Sequence, residues 1–181
     1  MTDKFTDLAQ KTIETYLKEN RLLEPPKDLP EEMLKNKAGV FVSIHKKEWR
    51  RPAKAGRELR GCIGTFLPTR NNIAQEIIHN AISAAFHDPR FYPIQENELN
   101  DLEISVDVLS KPEPIDSIKK LDAKKYGIIV KSNDGRTGLL LPNIEGVNSV
   151  NEQILIACQK ASINPAKDKF YLYRFTVERH K

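Results

Sequence analysis

Residues 58–91, ELRGCIGTFLPTRNNIAQEIIHNAISAAFHDPRF, contain the signals that decide the fold. Over residues 71–86 apolar side chains recur at three- and four-residue steps, which predicts an amphipathic helix. The positions predicted to face the core are Ile73, Ala74, Ile77, Ile78, Ala81, Ile82, Ala85 and Phe86, and those predicted to face solvent are Gln75, Glu76, His79, Asn80 and Ser83. Pro89 ends the helix, because proline cannot continue a helix and restrains the residue before it. Residues 58–67 are typical of a strand, so a strand leads directly into this helix.

Further strands are predicted on both sides of this segment. Residues 40–44 should pair with residues 58–67 as a long hairpin, and residues 102–108 alternate between apolar and polar side chains as in a strand buried on one face. In the second half, a hairpin is predicted from the turn sequence Asn133-Asp134-Gly135, with strands at residues 126–131 and 136–141. A capping box of Ser149 and Glu152 then begins a helix, and a final strand follows at residues 170–177.

The first 38 residues precede these strands. Helical periodicity from Phe5 to Leu17 predicts a helix that Thr2 or Asp3 caps and that ends before Pro25. Residues 24–37 are charged and interrupted by prolines, which predicts a connecting loop with one helical turn at residues 31–34.

The order strand, strand, helix, strand therefore occurs twice. The strings Gly64-Thr65-Phe66-Leu67-Pro68 and Gly138-Leu139-Leu140-Leu141-Pro142 stand at the same place in the two halves, 74 positions apart. We interpret this as an internal duplication, with halves at 39–110 and 124–178, inside a single domain that covers residues 1–181. The predicted fold class is α+β, with a mostly antiparallel sheet that the two duplicated units share and helices outside the sheet.

The composition is that of a soluble globular protein. Of 181 residues, 39% are hydrophobic and 30% are charged, and no apolar run approaches the ~20 residues of a membrane helix. The N-terminal MTDKFTD lacks the basic start of an export signal, so a cytoplasmic location is expected. Cys62 and Cys158 lie far apart and outside any CxxC pair, which predicts two free thiols.

The net charge of +4 is concentrated in one segment. Residues 46–60 carry seven Lys or Arg against two Asp or Glu, whereas the rest of the chain is nearly neutral. This basic hairpin leads directly into the string Arg60-Gly61-Cys62.

That string carries the most unusual local pattern of the chain. Glycines weaken a strand, so Gly61 and Gly64 indicate a bulge, a tight bend, or the close approach of another backbone or a ligand. If the pairing is regular, Arg60 and Cys62 share one face about 6 to 7 Å apart, where the guanidinium would favour a thiolate. Cys62 is then a candidate nucleophile, but a small thiol between glycines is also a common packed core residue, and both interpretations stay open. The candidate bases His45, His79 and His87 have no diagnostic spacing.

Acidic and basic residues after the helix are further candidates. Asp88 can accept backbone hydrogen bonds in an Asx turn and Arg90 can then direct its planar guanidinium toward the sheet, or both can simply tie the helix end to the strand. Glu103 and Asp107 lie about 13 Å apart along one strand and cannot form a close carboxylate pair. Glu103 is either part of a solvated polar face or the partner of Arg60 or Arg90 in a buried network.

Four strings along the chain resemble the AMMECR-type domain family, in the family's order. They are LRGCIGTF at 59–66, AAFHDPRF at 84–91, LEISV at 102–106 and GRTGLLLP at 135–142. The resemblance covers nearly the whole chain and implies an α+β fold with duplicated halves, a cleft near the Arg-Gly-Cys strand and, in many microbes, genetic association with a Memo-type protein and a radical-SAM protein. It implies no established reaction. The sequence departs from the family at residues 143–149 and at Asp107, whereas it carries the family pattern at Arg60, Gly61, Cys62, Gly64, Asp88, Arg90 and Glu103.

Three functional hypotheses follow. The first is an enzyme, or enzyme subunit, with a cleft for a small anionic ligand: Cys62 as the reacting group, Arg60 as anion anchor, Glu103 or Asp88 as acid or base, and Gly61, Gly64 and Arg90 in ligand binding. No metal or cofactor is predicted, since ligand spacings and a phosphate-binding glycine loop are lacking. The second is an adaptor that binds Memo-type or radical-SAM partners. The third and least favoured is a nucleic-acid-binding module that uses the basic residues 46–60 and Trp49.

Overall fold

The computed structural model describes residues 3–47 and 58–181. The chain forms four α-helices and eight strands in these residues, and it divides into two compact units. Unit 1 contains residues up to Val108 together with Arg179–Lys181, and unit 2 contains Leu109–Glu178. Most of the predicted basic hairpin, residues 48–57, lies outside the described residues.

Unit 1 contains three helices and a four-stranded sheet. The helices are α1 (Lys4–Glu19), α2 (Glu31–Lys35) and α3 (Ile73–Phe86). The strands are β1 (Gly39–Lys46), β2 (Leu59–Gly64) and β3 (Leu102–Leu109), whose last residue is the first of unit 2. The C-terminal strand β8 (Val177–His180), which begins with the last two residues of unit 2, completes the sheet in the order β2-β1-β3-β8. Asp3 caps α1 by accepting a hydrogen bond from the Phe5 N–H, as predicted. The core of unit 1 is formed by the apolar faces of α1 and α3 against β1 and β3.

Two polar residues of α3 depart from the predicted pattern. Glu76 and Asn80 were predicted to face solvent, but both are buried. Asn80 donates a hydrogen bond to the Val40 carbonyl, and Glu76 accepts four hydrogen bonds from the loop that joins β2 to α3. Burial is possible at these positions because both Glu76 oxygens and the Asn80 amide nitrogen have hydrogen-bond partners in the protein.

Unit 2 has its own sheet and its own helix. Its strands are β4 (Glu113–Ile115), β5 (Gly127–Ser132), β6 (Thr137–Leu140) and β7 (Phe170–Phe175), in the order β4-β7-β5-β6, and its helix is α4 (Val150–Lys160). The predicted capping box of α4 is present, with Ser149 accepting from the Glu152 N–H and Glu152 accepting from the Ser149 N–H. The predicted turn is also present, and Gly135 adopts a φ of 90° in it.

The prediction of an α+β fold with antiparallel strands and helices outside the sheet is confirmed, but the strands form two sheets rather than one shared sheet. The reason is that each sheet buries its apolar face in a separate core, the first with α1 and α3 and the second with α4. The strand predicted at residues 170–177 is likewise divided, because β7 ends at Phe175 in the second sheet and β8 begins at Val177 in the first.

Both units contain the order strand, strand, helix, strand, and in both the third of these strands lies beside the first. A strand glycine also packs against a helix carbonyl in each: an added Cβ would lie 2.1 Å from the Ala84 oxygen at Gly61 and 2.0 Å from the Ala157 oxygen at Gly138. This packing pairs Gly138 with Gly61 rather than with Gly64, the partner chosen from the sequence strings. The duplication itself, and the single domain over residues 1–181, stay predictions.

Candidate functional site

The strand β2 contains a bulge that decides where its side chains lie. It pairs regularly with β1 from Phe41 opposite Gly64 to Ile44 opposite Gly61, but His45 is opposite Leu59. Arg60 is therefore the extra residue of the bulge. The prediction that Arg60 and Cys62 share one face assumed regular pairing, and this assumption fails at Arg60.

Arg60 is directed into the loop that follows α3. Its side chain binds both carboxylate oxygens of Glu98 at 2.8 Å, and it donates to the carbonyls of Tyr92 at 2.7 Å and Pro93 at 3.4 Å. The Arg60 guanidinium holds the pKa of Glu98 below its usual range, and the Gln95 N–H adds to this effect. Arg60 is only 9% exposed and most of its donors have protein acceptors, so the geometry makes it a tie between β2 and this loop.

The two glycines of β2 have close neighbours of the protein's own. The backbone of α3 at Ala84 occupies the space beside Gly61, and the Phe41 ring lies where a Cβ on Gly64 would point, 2.2 Å from its nearest ring carbon. Of the alternatives given by the sequence, the close approach of another backbone accounts for Gly61.

Asp88 and Arg90 hold the main chain of Cys62 from the side away from β1. The Cys62 N–H donates to Asp88 Oδ2 at 2.9 Å, and Arg90 Nη2 donates to the Cys62 carbonyl at 2.9 Å. The two side chains also bind each other, with Arg90 Nε to Asp88 Oδ1 at 2.9 Å and Nη2 to Oδ2 at 2.7 Å. We call these three residues the Cys62 clamp. The predicted Asx turn is present, because the Arg90 N–H donates to Asp88 Oδ1.

Among the described carboxylates of unit 1, the one in the clamp has the most strongly lowered pKa. Hydrogen bonds from the Arg90 side chain, and then from the Cys62 N–H, lower the pKa of Asp88 to about 2 although burial opposes the shift. Asp88 raises the pKa of Arg90 in turn, through its hydrogen bonds to the guanidinium and its negative charge. Asp88 is thus a permanent anion near neutral pH, suited to holding Arg90 rather than to proton transfer.

The Cys62 thiol lies on the face of the sheet opposite α3. Gly61 and Ile63 face the helix and the core, so Cys62 points the other way, where Ser43 Oγ donates to its Sγ at 3.2 Å. Cys62 is partly exposed, whereas Cys158 is buried and its pKa is raised by burial. Both cysteines are free, as predicted.

Glu103 lies on the same face as Cys62 but not beside it. Its neighbours Leu102 and Ile104 pack into the core, which directs Glu103 to the other face of β3. Since β1 separates β3 from β2, two strand spacings, about 10 Å, separate Glu103 from the Cys62 strand. The carboxylate that binds Arg60 is Glu98, and Asp107 binds Arg179 at 2.7 Å.

Three functional neighbours were not found from the sequence. Ser43 could not be identified from the sequence, because its contact with Cys62 depends on the register that places the two residues opposite each other. Glu98 stands in a capping box with Gln95, a signal that predicts a helix start and not an arginine partner. Glu76 was assigned to the solvent face of α3. Within residues 3–47 and 58–181, no three His, Cys, Asp or Glu side chains gather as a metal site would require.

The strings around this clamp are those of a known family. The family model described as AMMECR1 matches residues 6–180. The chain belongs to the AMMECR1 family. A protein from Thermotoga maritima is 50% identical over 173 residues, which cover 96% of this chain and 94% of that protein. A Clostridium acetobutylicum protein is 46% identical over 180 residues, and there the match spans 99% of this chain but only 36% of the relative.

A solved structure shows the same fold. The crystal structure of the uncharacterised protein PH0010 from Pyrococcus horikoshii is 34% identical, covers 97% of this chain and 88% of that chain, and has a TM-score of 0.85. Among the described parts of this AMMECR1-family chain, none of the helices combines the length and apolar character needed to cross a bilayer.

Proposed function

We propose that the sheet face at the Cys62 clamp binds a small anionic ligand and that the Cys62 thiol is the reacting group, in an enzyme or enzyme subunit that acts in the cytoplasm with Memo-type and radical-SAM proteins. One observation carries this proposal. Arg90 is bound on one side by Asp88 and by the Cys62 carbonyl, while its side chain stays 54% exposed beside the main chain of the cysteine. The two free thiols fit a reducing compartment.

The physical role of each clamp residue follows from its contacts. Asp88 is 2% exposed and fixes the direction of the guanidinium, so Arg90 loses little conformational freedom when a ligand binds. The Asp88–Arg90 pair is neutral as a whole, and Arg90 therefore offers directed hydrogen bonds rather than long-range attraction. A ligand that also reaches Glu103 would have to span about 10 Å, two strand spacings.

Arg90, rather than Arg60, takes the part of anion anchor in this proposal. Arg60 and Asp88 position the loop and the guanidinium, and Glu103 is the candidate acid or base. Gly61 and Gly64 contribute by allowing α3 and Phe41 to approach β2 closely.

Alkylation by iodoacetamide, followed by intact and peptide mass, tests the thiol directly. We expect Cys62 to react in the folded protein and Cys158 to be protected as an internal reference, because Cys158 is 1% exposed. A panel of small carboxylates and phosphates is then screened for those that slow the reaction at Cys62. Arg90→Gln should remove that protection, whereas Arg21→Gln, a comparably exposed arginine, should leave it unchanged.

Two results would contradict the proposal. One is a Cys62 thiol as inert as Cys158 in the folded protein. The other is protection by an anion that persists unchanged in Arg90→Gln.

A specific observation also favours the adaptor function. The Tyr92 side chain is 90% exposed although Arg60 binds its carbonyl and fixes its backbone. Exposed tyrosine and arginine side chains on a fixed backbone are typical centres of protein interfaces. Purified Memo-type and radical-SAM proteins from the same organism would be tested for binding; Tyr92→Ala should abolish binding and leave Cys62 alkylation unchanged. Equal binding by wild-type protein and Tyr92→Ala would remove Tyr92 from the interface.

A further inference from the structure

Unit 1 contains a cavity that shares no residue with the Cys62 clamp. It has a volume of about 350 Å³, within the range of small-molecule sites. The segment after α1, including Leu22 to Pro25, lines it together with Thr69, Arg70, Asn71 and the first half of α3. α1 ends at Glu19, and the capping residue Asn20 has a left-handed φ of 48° that turns the chain out of the helix just before this segment.

The buried carboxylate of Glu76, which does not line the cavity, holds the polar loop of the lining in place. The Glu76 carboxylate accepts hydrogen bonds from the N–H groups of Thr69 and Arg70, both at 2.8 Å, and from the Thr69 hydroxyl at 2.8 Å. Thr65 adds a fourth bond at 2.6 Å. Burial would raise the pKa of Glu76, but these hydrogen bonds outweigh it and lower the pKa, so the anchor is ionised at neutral pH. The loop that presents Arg70 is therefore fixed at two consecutive peptide groups.

The lining is rich in side-chain hydrogen-bond donors that have no acceptor among the described residues. In the part of the chain that the structure describes, no hydrogen bond to a protein acceptor uses the Arg70 guanidinium, the Asn71 and Gln75 side-chain amides or the His79 imidazole, although the Gln75 carbonyl accepts from the Asn71 N–H at 3.2 Å. Burial and then the Arg70 charge lower the pKa of His79, which leaves it neutral at pH 7 and able to donate one hydrogen bond.

Apolar side chains complete the lining. Leu22, Leu23, Pro25 and Ile78 contribute hydrocarbon surface, and Glu24 contributes the one carboxylate of the lining. Donors in excess of acceptors select an acceptor-rich ligand, and the hydrocarbon surface selects an apolar portion beside it. The Glu24 carboxylate repels an anion in this cavity. Replacing Glu24 should therefore strengthen anion binding, whereas replacing Arg70 should weaken it.

We propose that this cavity is a binding site for a small organic anion, a carboxylate or a phosphate monoester that carries an apolar group. Arg70 and Gln75 bind the anionic end, and Leu22 and Leu23 contact the apolar group. The site goes beyond the function proposed for the Cys62 clamp and does not depend on it.

The test is a titration followed by ¹H–¹⁵N NMR of the full chain. Phenyl phosphate and phenylacetate are the two anionic probes, and 2-phenylethanol is the neutral probe of similar shape. With at least one anionic probe, we expect saturable chemical-shift changes at the backbone amides of Thr69 to Gln75 and of residues 22–24. The neutral probe 2-phenylethanol should bind at least tenfold more weakly. The preference between phenyl phosphate and phenylacetate then identifies the anionic group.

Variants give the direction of each contribution. Arg70→Gln should weaken binding of the anionic probe at least tenfold, Glu24→Gln should strengthen it, and the exposed control Lys11→Gln on α1 should leave it unchanged. Equal binding of the neutral probe, shifts confined to residues outside the cavity, or a dissociation constant unchanged in Arg70→Gln would overturn the proposal. Cys62 alkylation should be the same in Arg70→Gln and wild type, so failure of this site and failure of the clamp are distinguishable.

Discussion

The substitution Asp88→Asn tests the clamp most directly, because it changes two protons and a charge but hardly any volume. The Asp88 carboxylate accepts four hydrogen bonds, from the Cys62 N–H and from three Arg90 groups. An asparagine keeps one acceptor oxygen and places an NH₂ group against the remaining donors. Two hydrogen bonds to a charged group are lost, each about 1.5–3 kcal/mol, and the half-exposed Arg90 recovers part of this from water. We expect the free energy of unfolding to fall by about 2–4 kcal/mol.

The measurement is urea unfolding followed by circular dichroism, with thermal unfolding beside it. For a chain of this size the loss corresponds to a decrease in Tm of about 4–16 °C. Glu96→Gln, an exposed carboxylate eight residues further along, is the control and should stay within about 0.5 kcal/mol of wild type. Hydrogen exchange at the Cys62 amide gives the local signal, since this N–H loses its charged acceptor only in Asp88→Asn.

The pH dependence has a defined sign. The folded pKa of Asp88 is about 2, below the unfolded value of 3.8, so the ionised carboxylate stabilises the fold above about pH 4. This contribution decreases as the pH falls toward 2, and the difference between wild type and Asp88→Asn should narrow over the same range. If Asp88→Asn matches Glu96→Gln in stability and keeps the Cys62 amide protected, the clamp does not hold the strand as described.

Three further substitutions test the surroundings of the clamp. Gly61→Ala places a Cβ 2.1 Å from the Ala84 carbonyl oxygen, so the backbone of β2 or α3 must move. In urea unfolding this should lower the free energy of unfolding by about 3 kcal/mol. A loss below about 1 kcal/mol would mean that α3 shifts away from β2 at little cost. Arg60→Lys cannot reproduce the two hydrogen bonds to Glu98 and should lower the free energy of unfolding by about 2 kcal/mol, with faster amide exchange near residue 98. Unchanged exchange there would show that this ion pair does not hold the loop to β2. Glu76→Gln should cost about 2 kcal/mol and expose the amides of residues 69 and 70 to exchange, whereas slow exchange at both would exclude Glu76 as their anchor.

The helices and strands were largely predictable because their signals are local. Apolar periodicity located α3, a cap located the start of α1, and a capping box located the start of α4, each within one or two residues of the observed start. Sheet membership was not predictable in this way. The break between β7 and β8 depends on which core each strand joins, and that is decided by contacts far apart in sequence.

The site was predictable as a set of residues but not as a geometry. Cys62, Asp88 and Arg90 do meet, yet the bulge moves Arg60 to a different partner. The glycines indicated a bulge as one alternative for this strand, but they did not identify Arg60 as the extra residue. Glu76 shows the opposite limit: a helical wheel places a carboxylate in solvent, whereas the loop from Thr65 to Arg70 brings the donors that make its burial stable.

The position of β2 gives the clamp one more consequence. β2 is the outermost strand of its sheet, and an outermost strand ordinarily offers unpaired peptide groups on which another chain can add a strand. At Cys62 both peptide groups are already occupied by Asp88 and Arg90. Residues 88–90 thus block the addition of a strand from another molecule at this edge. Strong acid, which protonates Asp88, should release these residues from Cys62 and allow intermolecular β-structure to form before the cores of the two units unfold.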